Sequence, residues 1–110
     1  MSDTKWRRLL IAIAQLNLPV SYWTFRDDPT KEYRRPTPQP DEIINDNAIG
    51  DTGVVGPFYL RDVVAVRWPR QIGEARSQPL EEVVDTLDRE GAFDTELADD
   101  SLTLHAYRAV

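Results

Sequence analysis

A stripe of apolar side chains at helical spacing lies near the start of the chain. Its members are Trp6, Leu9, Leu10, Ile13 and Leu16. Because positions three and four apart share one face of an α-helix, the pattern predicts an amphipathic helix over about residues 4–17. We expect Asp3 or Thr4 to cap its N-terminus and Pro19 to stop it.

Runs of β-branched and aromatic residues predict three strands in the first two thirds of the chain. Val20–Phe25 is the first, bounded by acidic residues and a proline. Val54–Leu60 and Val63–Trp68 are expected to form a hairpin with its turn at Arg61 and Asp62. In the second strand of this hairpin, the side chains that point to both faces of the sheet are largely apolar. Such a pattern is typical of the centre of a sheet.

A second helix is predicted between Pro79, which suits a first helical position, and Gly91, which suits a C-terminal cap. Its inward stripe consists of Leu80, Val83, Val84 and Leu87. Its outward face carries Glu81, Asp85 and Asp88.

The end of the chain has the alternation of a hairpin. We predict strands over about residues 92–97 and 102–108, joined by a turn that contains Asp99 and Asp100. The inward side chains of the last strand are Leu102, Leu104 and Ala106, and the outward ones are Thr103, His105 and Tyr107.

Residues 27–53 are the least regular part of the chain, with four prolines and several turn-forming residues. We predict a long irregular loop there. The basic aromatic cluster in it consists of Lys31, Tyr33, Arg34 and Arg35. Two interpretations of this cluster are open: a solvated loop, or a contact for phosphate or for stacked RNA bases.

These elements predict a single α+β domain over residues 1–110, in which two helices pack on a mainly antiparallel sheet of about five strands. Its expected core consists of Trp6, Leu9, Ile13, Val64, Val66, Trp68, Val83, Leu87 and Leu104.

The charge is uneven along the chain, whose net charge is −6. Residues 1–70 hold ten Lys and Arg against nine Asp and Glu, whereas residues 71–110 hold three Arg against ten acids. A net negative charge argues against general binding of nucleic acid or of an anionic membrane, because both require a cationic face.

The residues that usually carry catalysis are scarce. The chain has no cysteine and one histidine, His105, so thiolate chemistry and sites built on several histidines are excluded. No phosphate loop, dinucleotide fingerprint or nucleophile elbow occurs. We therefore expect no enzyme, no cofactor and no metal site, and we interpret His105 as a surface histidine.

The basic residues Lys5, Arg7 and Arg8 precede an apolar stretch, as in a signal peptide. Gln15 and Asn17 interrupt that stretch early, and its length is far below that of a membrane span. We expect a cytoplasmic protein.

Four short motifs resemble a small bacterial family of unknown function. They are Thr4-Lys5-Trp6, the aromatic pair Tyr22-Trp23, the run Gly56-Pro57-Phe58-Tyr59 before the strand at 62–69, and a closing helix-strand unit that ends at Tyr107. The resemblance implies a stand-alone cytoplasmic α+β protein of the kind often encoded beside toxins.

Together these observations predict a small acidic protein-binding module. The most specific version of this prediction is an immunity protein that neutralises a basic toxin domain. The alternative is a regulatory or ligand-binding module that forms a homodimer through aromatic surface. The expected partner-binding residues are Glu81, Asp85, Asp88, Asp99, Asp100 and Tyr107.

Overall fold

The computed structural model describes residues 1–45, 47–50 and 56–107. The helices are α1 (Asp3–Ala14) and α2 (Leu80–Glu90), with short 3₁₀ helices at Pro40–Glu42 and Leu60–Asp62. The strands are β1 (Ser21–Phe25), β2 (Asp28–Arg35), β3 (Ile43–Ile44), β4 (Ala48–Ile49), β5 (Phe58–Tyr59), β6 (Val63–Pro69), β7 (Gln71–Gly73), β8 (Arg76–Ser77), β9 (Thr95–Leu97) and β10 (Ser101–His105).

Among the described residues, the main sheet has five strands in the order β2-β1-β6-β10-β9, and every pairing in it is antiparallel. With the two helices this confirms the predicted α+β fold. The predicted central strand is also confirmed, because β6 lies in the middle of the sheet. Trp23 and Leu104 face Val66 from the strands on either side.

Both helices pack on one face of this sheet. Trp6 of α1 stacks on Trp23 of β1 with 5.9 Å between the ring centroids. Leu80, Val83 and Leu87 of α2 join the same buried cluster. Burial of these apolar side chains is the main source of stability for such a layer.

The predicted core is confirmed except at Val64, which is half-buried, while its neighbour Val63 is fully buried. The reason is an irregularity in the pairing of β1 with β6. Thr24 pairs with Ala65 but Phe25 pairs with Val63. Such a bulge skips one residue and turns the next side chain to the other face.

A side-chain cap sets the start of α1, and a glycine sets the end of α2. The Ser2 hydroxyl accepts a hydrogen bond of 3.2 Å from the Lys5 backbone N–H, so Ser2 caps α1 in place of the expected Asp3 or Thr4. Gly91 ends α2 as predicted, at a φ of +150° that favours glycine.

The expected irregular loop at 27–53 is wrong over Asp28–Arg35, which forms β2 at one edge of the main sheet. Within the described part of this segment, β3 and β4 form further short strands. Positions 46 and 51–53 lie outside the described residues.

The expected hairpin before β6 is also wrong. Phe58–Tyr59 (β5) pairs with β4 in a separate small sheet, of order β3-β4-β5 among the described residues, and not with β6. Residues 54 and 55 of the predicted strand lie outside the described residues. The final hairpin, in contrast, is confirmed as β9 and β10, and both strands are shorter than predicted.

The second face of the main sheet carries polar side chains that are only partly buried. Arg67 on β6 donates two hydrogen bonds to the Glu32 carboxylate at 2.9 and 3.0 Å. Its guanidinium lies 4.5 Å from the centroid of the Tyr22 ring. The hydrogen bonds that Arg67 donates to Glu32 raise the pKa of Arg67 above its ordinary value.

A buried glutamine two residues before α2 connects β6 with Val20, the residue that precedes β1. The Gln78 side-chain amide donates to the carbonyls of Val20, at 3.1 Å, and Pro69, at 2.7 Å. Its carbonyl oxygen accepts from the Val20 N–H at 3.1 Å. One side chain therefore satisfies three backbone groups where the first strand, the central strand and the second helix meet.

Neither helix within the described ranges has the length and apolar character needed to cross a membrane.

Candidate functional site

The acidic residues of α2 lie on its solvent face. Glu81, Asp85 and Asp88 are all exposed, whereas Leu80, Val83 and Leu87 on the opposite side are buried. The spacing i, i+4, i+7 places the three carboxylates in one row about 10 Å long. The sequence prediction for this row of side chains is confirmed in its placement.

Arg70 connects α2 to the turn between β9 and β10. Both terminal nitrogens of Arg70 donate to the Glu81 carboxylate at 2.8 Å. Its Nε donates to the Asp99 carbonyl at 2.7 Å, and its backbone N–H donates to the Asp100 carbonyl at 2.8 Å. The structure therefore brings Asp99 and Asp100 beside the first turn of α2. We call Glu81, Asp85, Asp88, Asp99 and Asp100 the acidic surface.

Arg70 neutralises part of this surface. Its hydrogen bonds hold the pKa of Glu81 below its ordinary value, and Glu81 in turn raises the pKa of Arg70. Arg89, the basic residue in the last turn of α2, donates to the Thr86 hydroxyl at 3.3 Å. Among the described residues, no cation forms an ion pair with Asp85 or Asp88.

Substitution of Glu81 by glutamine tests the Arg70 contact. Because the pKa of Glu81 is lower in the folded state, its contribution to stability is present above its unfolded pKa of about 4.3 and is lost as the pH falls through the folded value. We expect Glu81→Gln to lower the urea midpoint at neutral pH, and the difference from the parent to shrink as the pH falls below about 4.3. A difference between the two proteins that persists at low pH would contradict this contact. Glu82→Gln, on the same turn, is the control.

Tyr107 lies away from the acidic surface. Asp99 and Asp100 precede β10 and Tyr107 follows it, so five extended residues, about 17 Å, separate them. The Tyr107 ring instead holds the Arg26 guanidinium at 4.3 Å from its centroid. Tyr107 therefore lies at the opposite end of β10 from these acids, and its part in a partner contact stays a prediction.

A groove with aromatic walls lies at the β1-β2 end of the molecule, and sequence reasoning missed it. Its volume is about 580 Å³, within the usual range for binding pockets. Its aromatic lining consists of Phe25, Tyr33, Phe58 and Tyr59. We call it the aromatic groove.

The rings of this groove are fixed against one another and against the core. Phe25 meets Phe58 edge to face at 4.9 Å and Tyr33 at 5.7 Å between centroids. Phe58 also lies 5.4 Å from the fully buried Trp23. Tyr33 and Tyr59 each keep more than a third of their surface exposed. The groove therefore has a rigid floor and accessible walls.

Three charged residues line the groove: Arg26, Asp27 and Asp62. The Arg26 N–H donates to the Asp62 carbonyl at 2.9 Å, which holds the two turns together. A second arginine, Arg61, stacks over Tyr59 at 4.8 Å from its ring centroid. Within the described part of the chain, neither Asp27 nor Asp62 forms an ion pair.

The four residues of the basic aromatic cluster all lie on β2, but their side chains have different environments. Arg35 is buried and donates to Glu42 at 3.0 Å and to the Pro36 carbonyl at 2.8 Å. Lys31 lies 3.7 Å from the Asp28 carboxylate. A buried arginine that is already paired is not available to phosphate, so the interpretation as a phosphate or RNA contact is wrong for Arg35.

His105 lies on the partly open face of the sheet. Its Nε2 is 3.3 Å from the Glu96 carboxylate on the neighbouring strand. In the part of the chain that the structure describes, no group of three His, Asp or Glu side chains could hold a metal ion.

The comparisons with known proteins are negative: no family model, no curated protein and no solved structure matches this chain significantly. The acidic surface and the aromatic groove are therefore the features of the molecule that bear on its function.

Proposed function

We propose that this protein is a small cytoplasmic protein-binding module whose acidic surface captures a basic partner. In its most specific version, the proposal is an immunity protein that neutralises a bacterial toxin domain. The observation that carries the proposal is the juxtaposition of α2 with the β9-β10 turn. It collects five exposed carboxylates, of which only Glu81 has an ion pair within the described residues.

Such a surface destabilises the folded protein but accelerates binding of a basic partner. Like charges held close together repel and destabilise the folded state. The same field accelerates the approach of a cationic protein, and complementary charge can raise association rates by orders of magnitude. A module that must block a toxin before it acts gains from fast capture.

The test reverses two charges that form no ion pair within the described residues. Asp85→Lys/Asp88→Lys should lower the association rate about tenfold at low ionic strength and flatten its dependence on salt. The proposal requires a gene for a basic toxin domain next to that of this protein, and this domain is the probe. The association rate is measured by stopped-flow fluorescence at low and physiological salt. Both residues are exposed, so the melting temperature should stay close to that of the parent.

Asp41→Lys is the matched control, because Asp41 is exposed in the first 3₁₀ helix and remote in sequence from α2. Compared with Asp85→Lys alone, it makes the same change in net charge. Equal rates for the two single variants would show that only net charge matters and would overturn a specific acidic surface. The absence of any neighbouring gene for a basic toxin domain would overturn the immunity form of the proposal.

A second candidate is a homodimeric regulatory or ligand-binding module. The observation that favours it is the exposure of the large side chains Tyr33, Tyr59 and Ile44, the last about half exposed. Such patches often mark contacts between proteins. The mass in solution, measured by light scattering over a dilution series, separates a dimer from a monomer that awaits a different partner.

A further inference from the structure

The cations of the aromatic groove are already engaged by the chain itself. Arg26 is held on the Tyr107 ring and Arg61 on the Tyr59 ring. The carboxylates of Asp27 and Asp62 have no such partner among the described residues. Arg26 keeps its positive charge on the Tyr107 ring, so the three charged residues that line the groove sum to −1. The groove therefore presents two carboxylates without an ion pair among the described residues, beside the electron-rich faces of its rings.

We propose that the aromatic groove binds the arginine side chain of an extended segment of a partner protein. The guanidinium would lie against Tyr33 or the free face of Tyr59, and its N–H groups would donate to Asp27 and Asp62. This inference goes beyond the proposed function, because the groove is a site distinct from the acidic surface and needs none of its carboxylates.

Charge and shape together select this occupant. An anionic group would meet two carboxylates against the single Arg26, whose guanidinium already lies on the Tyr107 ring. An apolar side chain would take the carboxylates out of water without a partner, which is costly. A guanidinium is planar, stacks on aromatic rings and donates to carboxylates with the same group. The chain uses this chemistry itself, since Arg67 stacks on Tyr22 while it donates to Glu32.

The experiment is a titration followed by two-dimensional NMR on the full chain. The probe is the blocked tripeptide acetyl-Gly-Arg-Gly-amide. Its matched control replaces arginine by citrulline, which has the same shape without the charge. We expect the arginine peptide to shift the amide signals of Tyr33, Tyr59 and Asp62 saturably, and the citrulline peptide to bind about tenfold more weakly.

Variants of the groove localise the effect. Asp27→Asn/Asp62→Asn should weaken binding of the arginine peptide about fivefold, because it removes both negative charges of the groove. Both carboxylates are exposed, so their loss does not disturb the core. Glu74→Gln/Glu82→Gln makes the same change in net charge at two exposed residues outside both sites and should leave the affinity at the groove unchanged.

Three results would overturn the inference. Equal binding of the citrulline peptide would indicate a general apolar site. Shifts confined to α2 and the β9-β10 turn would place the peptide on the acidic surface alone, which leaves the proposed function intact. Shifts at the groove that grow with protein concentration and not with peptide would assign the groove to a second copy of this chain.

Discussion

Val66→Asp should leave the chain unfolded in buffer at room temperature. Val66 is fully buried in the central strand, between Trp23 and Leu104. A carboxylate there would have no partner and no water, and the cost of such a group is several kcal/mol. Small domains have a total stability of only about 5–15 kcal/mol, so one such substitution removes most or all of it.

Circular dichroism and tryptophan fluorescence check this result. Thr103→Asp is the control, since Thr103 lies on the partly open face of the neighbouring strand, opposite Arg67. It introduces the same charge and should retain a cooperative melt. A Val66→Asp protein that melts within a few degrees of the parent would contradict the central position of β6.

Gln78→Leu should have the second largest effect, a loss of about 3 kcal/mol in the free energy of unfolding. Leucine keeps the bulk but removes the amide. The N–H and carbonyl of Val20 and the carbonyl of Pro69 would then lose their partner. An unsatisfied buried polar group costs about 1–3 kcal/mol. Val20 is buried, so water cannot replace the lost amide at both of its backbone groups.

Urea denaturation measures this difference, and Gln71→Leu serves as its control. The Gln71 amide donates to the Gly73 carbonyl in an exposed turn, so its loss should change stability by no more than about 0.5 kcal/mol. Similar midpoints for the two variants would mean that Gln78 does not connect the strands and the helix as described.

The elements that sequence analysis predicted well have strong periodic patterns and clear terminal residues. α2 is the clearest case, because Leu80, Val83 and Leu87 repeat at helical spacing between Pro79 and Gly91. β6 was recognisable because its length and apolar character leave few alternatives to a central strand.

β2 was not predictable in the same way. Its sequence is dominated by charged residues and proline, with no alternation of apolar side chains. Its extended form depends on pairing with β1, where Ser21 faces Arg35 and Trp23 faces Tyr33. This pairing joins residues that the sequence pattern does not connect, so local propensity could not indicate it.

In the candidate sites, too, the features set by local spacing were predicted and those set by tertiary contacts were missed. The row of acids on α2 follows from helical spacing and was predicted. Arg70 was missed because its contact with Glu81 depends on how β6 and the β9-β10 turn lie beside α2. The aromatic groove was missed because β5 pairs with β4 and not with β6, and its rings come from three separate strands.

The polar sequence of β2 has a consequence for how the protein behaves at high concentration. Strands at the edge of a sheet offer unpaired backbone groups on which another chain can add. β2 lacks one N–H at Pro29, and Lys31, Glu32 and Arg34 surround the edge with charge. The opposite edge, β9, is only three residues long. Both ends of the sheet are therefore poor templates for growth into fibrils, and the chain can remain dispersed without a covering element over either edge.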